Sequence, residues 1–144
     1  MSIFDGIAGI LGTFRIPDRD KAQVVEEINF MEALTEHVQW KARLENYLNG
    51  TPREDLDPAA ICRDDLCPLG KWIHGPGLRR YHKEPRFYQL RADHAHFHFL
   101  AGNVVRHVQS NEHAEAGALL ENEYKRTSRK MVQALTELNA HLSG

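Results

Sequence analysis

The chain of 144 residues has the length of one compact domain, and a chain of this size buries a hydrophobic core without needing disulfide bonds. Its 18 lysine and arginine residues against 20 aspartate and glutamate residues give a net charge of −2, which argues against a nucleic-acid partner or an anionic membrane surface. Two cysteines are too few for a disulfide-based secreted scaffold, whereas nine histidines are unusually many and require an explanation.

Residues 1–18 form a tail ahead of the predicted domain, which spans residues 19–144. Apolar residues recur in the tail at helical spacing, but interspersed glycines weaken any helix. No lysine or arginine precedes the apolar stretch, so a signal peptide is not supported, and the stretch is too short for a membrane span. We therefore expect a cytoplasmic protein whose tail is either a frayed or self-packed terminus or a docking segment.

From Pro17 onward, apolar residues recur at intervals of three and four, which predicts an all-α protein. The first long helix is expected to begin near Asp18 or Asp20 and to end at Asn49, before the stop signal Gly50-Thr51-Pro52. A histidine interrupts its apolar stripe. The predicted stripe comprises Phe30, Leu34, His37, Lys41, Leu44 and Leu48, flanked by Ile28, Met31 and Val38.

Two short helices are predicted in the segment rich in proline and glycine between residues 51 and 84. Asp57-Pro58 and Cys67-Pro68 each place a capping residue before a proline at the first helical position. The sequence Gly75-Pro76-Gly77 then predicts a break in the chain.

Two further long helices complete the predicted fold, from Pro85 to about Ser110 and from about Glu112 to Leu142. Three long helices, with short helices between the first two, predict an antiparallel helical bundle. The predicted apolar stripes comprise Phe87, Leu90, His94, His98, Ala101, Val105 and Val108 in one helix, and Gly117, Leu120, Tyr124, Met131, Leu135, Leu138 and Leu142 in the other.

Histidines in these apolar stripes indicate a metal site. His94 and His98 lie one helical turn apart, so both rings project from one face and can bind a single ion. Burying an imidazole without partners costs roughly 1–3 kcal/mol, and His37 presents the same difficulty on the first long helix. A single ion bound by all three histidines would give each buried imidazole a partner.

A cysteine is the expected fourth ligand. Cys67 fits better than Cys62, because as a helix cap it faces free N–H groups and the positive end of a helix dipole, which lower a thiol pKa. Three imidazoles and one thiolate suit tetrahedral Zn²⁺ and leave no open position for catalysis. Ala95 also stands where an H-E-x-x-H protease has its glutamate, so we expect no enzyme.

Several polar residues near these ligands keep alternative roles. The histidines His74 and His82 of the Pro- and Gly-rich segment are alternative ligands, although solvent-facing positions are more common for loop histidines. Asp93 or Glu36 is the expected hydrogen-bond partner of a ligand imidazole. Trp40 and Trp72 are expected to pack in the core or at an interface.

The motifs that contain these residues resemble the chemoreceptor zinc-binding (CZB) domain of bacteria. The resemblance covers residues from about Val24 to Leu138 and extends over three motifs in order: His37-x-x-Trp40-Lys41, Cys67-x-Leu69-Gly70-Lys71-Trp72-Ile73 and His94-x-x-Phe97-His98. It implies that His37, Cys67, His94 and His98 bind zinc, and that the protein is a cytoplasmic homodimer of helical bundles.

The resemblance also implies a sensor of zinc or, through its cysteine, of oxidants such as hypochlorous acid. The signal would pass to a partner in a chemoreceptor or diguanylate cyclase system, since neither output domain is present in this sequence. An alternative is a structural zinc site in a small adaptor that acts through residues 1–18. A di-iron enzyme is disfavoured, because the histidine-bearing faces lack the required pattern of helix carboxylates.

Overall fold

The computed structural model describes residues 29–50 and 54–143, which are helical and contain no β-strand. This confirms the all-α prediction for the described part of the chain. The predicted tail at residues 1–18 lies outside the described residues. The elements are α1 (Phe30–Asn49), α2 (Pro58–Ile61), α3 (Pro68–His74), α4 (Pro76–Tyr81), α5 (Pro85–Gln109), α6 (His113–Leu119), a π-helical segment (Leu120–Tyr124) and α7 (Lys125–Ser143).

Helix α1 begins later than predicted. Asn29 has an extended backbone, and its side-chain oxygen accepts a hydrogen bond from the Glu32 amide at 3.0 Å, so it is the N-cap. The expected start near Asp18 or Asp20 is therefore wrong for this helix, and those two positions lie outside the described residues. The predicted end is confirmed, because Gly50 adopts a left-handed conformation with φ of 79° and closes the helix.

The face that α1 buries is narrower than the predicted stripe. Ala33, His37 and Leu44 are buried, whereas Met31 and Val38 are 56 % and 53 % exposed. The inclusion of Met31 and Val38 in the buried stripe is therefore wrong. Among the described residues, α1 contacts α5, α6 and α7, and Met31 and Val38 lie off the side of α1 that these helices cover.

The segment between the long helices is more helical than predicted. Both short helices are confirmed, with Asp57 accepting from the Ala59 amide at 3.0 Å and Cys67 as the N-cap of α3. The predicted break at Gly75-Pro76-Gly77 is wrong in part, because Pro76 begins helix α4. Proline is well tolerated at the first helical position, where the amide it lacks would have no partner.

Helix α5 is the central element and contacts α1, α2, α6 and α7. Its predicted bounds are confirmed, and both of its stripe histidines are buried. The last predicted helix is also confirmed in extent, but the π-helical segment interrupts it, which the sequence pattern did not predict. None of the described helices combines the length and hydropathy that crossing a bilayer requires.

A glycine lets α2 approach α5 closely. A Cβ atom at Gly102 would collide with the Cys62 sulfur and would lie 2.9 Å from the Pro58 carbonyl oxygen. Only glycine therefore permits this contact between the two backbones. Because Gly102 lies one turn after His98, the contact also brings the end of α2 against the histidine-bearing part of α5.

We predict that Gly102→Ala destabilises the protein by about 1–3 kcal/mol, because the added methyl group overpacks the α2–α5 contact. The matched control is Gly117→Ala, where the nearest atom would be Leu48 Cδ2 at 3.8 Å. Alanine there should stabilise α6 by about 0.5–1 kcal/mol. Urea denaturation measures both, and equal midpoints for the two variants would contradict the packing argument.

Candidate metal centre

Four side chains from three elements converge inside the protein. His37 lies on α1, Cys67 caps α3, and His94 and His98 lie on α5, and one ligand atom from each lies within 4.8 Å of all the others. The Cys67 sulfur is 3.6, 3.3 and 3.5 Å from Nε2 of His37, His94 and His98, respectively. The structure thus brings all four predicted residues together.

The spacing of these atoms fits a tetrahedral zinc site. With Zn–N bonds of about 2.05 Å and Zn–S bonds of about 2.3 Å, tetrahedral edges are about 3.4 Å between nitrogens and about 3.6 Å between nitrogen and sulfur. The Nε2 atoms of His37 and His94 are 3.2 Å apart, and the sulfur–nitrogen distances are 3.3–3.6 Å. A single small cation therefore matches the cluster.

Backbone carbonyl groups orient two of the imidazoles. Nδ1 of His37 donates to the Ala33 carbonyl oxygen at 2.6 Å, and Nδ1 of His98 donates to the Ile61 carbonyl oxygen at 3.0 Å. A carbonyl only accepts, so the proton lies on Nδ1 and the Nε2 lone pair points into the cluster, as metal binding requires. The expectation that Asp93 or Glu36 orients a ligand is wrong for both of these rings.

His94 differs from the other two histidines. Its ring is fully buried, and Nδ1 has no hydrogen-bond partner among the described residues. Nε2, in contrast, faces both His37 and Cys67. An imidazole buried in this way is destabilising on its own, which favours a compensating ion at its inner nitrogen.

The electrostatics of the three histidines keep them neutral. Burial lowers the pKa of His37 to about 4 and that of His94 to about 2, and the other cluster imidazoles lower the His94 value further. Burial also lowers the pKa of His98, although the Ile61 carbonyl and Asp64 oppose this effect. At neutral pH, all three rings are therefore ready to act as neutral donors.

Cys67 departs from the expected acidity. Burial raises the pKa of its thiol to about 11, and the amides of Gly70 and Leu69 oppose this only in part. The predicted lowering by the helix start is therefore wrong in its net direction, because loss of solvation outweighs the amide contacts. A thiolate in this position needs a cation beside it, which is a further match to a metal site.

A second close contact fixes Cys67 in place. The Gly70 amide donates to the Cys67 sulfur at 3.3 Å, and a Cβ atom at Gly70 would collide with the Asp64 carbonyl oxygen. Glycine thus allows residues before α3 to pack against its first turn. Sequence reasoning missed the roles of Gly70 and Gly102, although a glycine on the packing face of a helix is a usable signal of close backbone approach.

The remaining described histidines lie outside the cluster. His74 pairs with Asp64 at 2.9 Å, and Nδ1 of His82 donates to the Arg79 carbonyl oxygen, so the alternative ligands do not join the four residues. Trp72 packs in the core against the rings of Phe30, Tyr81 and Phe87, as expected. Cys62 lies apart, with its sulfur accepting from Arg106 at 3.3 Å.

Comparison with known families agrees with this geometry. Residues 37–105 match the family model of the chemoreceptor zinc-binding domain. This segment of the chain is therefore similar to CZB domains. No curated protein and no solved structure matches the chain.

The matched segment begins at His37 and includes the other three clustered residues. It is shorter than the predicted coverage from Val24 to Leu138. It ends on α5, so α6, the π-helical segment and α7 lie outside the match.

We predict that the metal-free protein is most stable between about pH 7 and pH 9. An unfolded histidine has a pKa near 6.5, so below that pH the unfolded chain binds protons that the folded His37 and His94 do not. The free energy of unfolding then falls by about 1.4 kcal/mol per pH unit for each histidine. Above pH 9, the raised pKa of Cys67 means that the unfolded chain loses its proton first, which again lowers stability.

Urea denaturation of chelator-treated protein at several pH values measures this profile. In His94→Gln the free energy of unfolding should fall less steeply below pH 6.5. In His96→Gln this fall should be unchanged, because His96 is exposed. An unfolding free energy that is constant between pH 4 and pH 6.5 would refute the assignment of three buried neutral imidazoles.

Proposed function

We propose that this protein is a non-catalytic zinc-binding regulatory module in which His37, Cys67, His94 and His98 hold Zn²⁺. The observation that carries the proposal is the convergence of these four donors within 4.8 Å, in a segment that matches the CZB family. Four protein donors fill a tetrahedral site and leave no position for water or substrate, which supports a regulatory rather than a catalytic role.

The donors belong to separate elements, which gives the site its regulatory potential. When bound, the ion supplies bonds that join α1, α3 and α5. His37 is held by its own helix through Ala33, and His98 is held by α2 through Ile61, so both histidines are already oriented. Cys67 is the only one of the four donors at the short helix α3, so loss of its sulfur removes the metal-mediated link from α3 to α1 and α5. Packing of Trp72 against Phe30 and Phe87 then remains as a contact between these helices.

Oxidation of Cys67 is the proposed second input. A peroxide or hypochlorous acid takes two electrons from the sulfur and leaves a sulfenic acid, which is a poorer zinc donor than a thiolate. The partial exposure of Cys67 supports access of a small oxidant. The module would thereby report zinc or oxidants to a partner in bacterial chemotaxis or cyclic-di-GMP signalling, in the cytoplasm, where thiols stay reduced.

We predict that Cys67→Ala weakens zinc binding by more than about a hundredfold, because a metal ligand contributes more than the 10–100-fold typical of residues that only orient one. His94→Ala should also weaken binding strongly. His96→Ala is the matched control, since its side chain is exposed and pairs with Glu123 at 3.2 Å. Competition with a chelator measures the three dissociation constants.

Elemental analysis of zinc-loaded protein, before and after treatment with an oxidant, tests the proposed redox input. The unmodified protein should lose its zinc, and Cys62→Ser should lose it equally, because Cys62 lies outside the cluster. An unchanged dissociation constant in Cys67→Ala would overturn the fourth-ligand assignment. Zinc retained after full oxidation of Cys67 would overturn the redox input alone.

The long helices support the proposed antiparallel bundle. His96 near the middle of α5 contacts Glu123 and Thr127, whereas Glu84, the N-cap of α5, contacts His141 near the end of α7. Contacts therefore run in opposite directions along the two helices. Helix α1 contacts both of them, which supports a bundle of three long helices.

We further predict a homodimer that forms through the exposed side of α1. Met31 and Val38 lie seven residues apart on one face of α1 and are more than half exposed, so a second copy would bury apolar surface there. Sedimentation should show a dimer that the double change Met31→Arg and Val38→Arg converts to a monomer. The control Tyr88→Arg, at another exposed position, should leave the dimer intact.

A further inference from the structure

The four clustered residues are not equally accessible. His37, His94 and His98 are 2 %, 0 % and 4 % exposed, whereas Cys67 is partly exposed. A cation that arrives from solvent therefore meets the Cys67 side of the cluster, here called the sulfur edge, before it meets the imidazoles. The side chains around this edge determine how the cation is taken up.

Asp64 lies at this edge. Its carbonyl oxygen occupies the space that a side chain at Gly70 would fill, and the Gly70 amide donates to the Cys67 sulfur at 3.3 Å. The backbone of Asp64 is thus packed on the same turn of α3 that holds the sulfur. Its negative charge also acts at the cluster, where burial lowers the pKa of His98 and Asp64 partly opposes that effect.

The carboxylate of Asp64 has a metal-binding side chain as its partner. Nε2 of His74 lies 2.9 Å from Oδ2 of Asp64, and the two side chains are 34 % and 23 % exposed. A carboxylate and an imidazole are both ordinary ligands of zinc. The pair is therefore reached by solvent, and the backbone of Asp64 packs against the turn of α3 that holds the Cys67 sulfur.

The neighbouring carboxylate offers a contrast. Asp65 is held by the Arg63 guanidinium through two hydrogen bonds, at 3.0 and 2.8 Å. Its charge is thus already compensated by a cation. Asp64 therefore has an imidazole as its hydrogen-bond partner, whereas Asp65 has a permanently charged guanidinium.

We propose that Asp64 and His74 form a transient outer site that receives a hydrated divalent cation and passes it to Cys67. The proposal rests on the zinc site described above and adds its route of uptake and release. Such a site speeds capture and release alike and leaves the final equilibrium almost unchanged.

Stopped-flow mixing of the full-length, metal-free protein with Co²⁺ tests this proposal. The thiolate-to-cobalt absorption band reports arrival of the ion at Cys67, and mixing the loaded protein with excess chelator gives the release rate. In the double variant Asp64→Asn and His74→Gln, both rates should fall about tenfold, which is the lower end of known electrostatic effects on association. The dissociation constant should change by less than about threefold.

Asp65→Asn is the matched control, since it removes the same charge one residue away and should leave both rates unchanged. His74→Gln alone is the second variant, in case the double variant does not fold by circular dichroism, and should slow both rates by a smaller factor. Unchanged rates in either variant, or a slower capture with unchanged release, would overturn the outer site while leaving the zinc site intact. Absence of the thiolate band in the unmodified protein would instead overturn the proposed function.

Discussion

The fold depends on offsetting the cost of burying four polar side chains in the hydrophobic core. Three neutral imidazoles and one thiol meet between α1, α3 and α5, and three of the four are almost completely excluded from solvent. Burial lowers the pKa values of the histidines and raises that of the cysteine, so every group is driven toward its uncharged form. A divalent cation reverses this penalty, because it interacts favourably with all four lone pairs at once.

Close contacts between backbone segments hold these four side chains in position. At Gly70 and Gly102 the backbone of one segment approaches the backbone of another closely, and each of these glycines lies within about one turn of a clustered residue. The close approach at Gly102 places the end of α2 where the Ile61 carbonyl reaches His98. The packing of α2 against α5 therefore also sets the orientation of the His98 ring.

Local chemistry explains which parts of the fold were predictable. Asp57-Pro58 and Cys67-Pro68 contain complete start signals, so both short helices were correctly placed from a few residues. His37 was identified because a histidine in an apolar stripe needs a partner, and the structure places it in the cluster. Gly75-Pro76-Gly77 misled the prediction, because the same residues that end one helix can begin another.

The errors at the site come from tertiary contacts that no local pattern contains. The acidity of Cys67 was judged from the helix start alone, yet the burial contributed by other elements outweighs it. The partner of His98 belongs to α2, and no spacing within α5 indicates a carbonyl from another helix. The exposed positions Met31 and Val38 were misassigned because periodicity gives the direction of a stripe and not its width.

The use of main-chain oxygens at Ala33 and Ile61 has a consequence for how this centre tolerates sequence change. Every amino acid carries the same carbonyl group, so no single replacement at either position deletes the acceptor as long as the local helix persists. A carboxylate in the same role would disappear with one codon change. The orientation of these two rings is thus buffered against point mutation at residues 33 and 61.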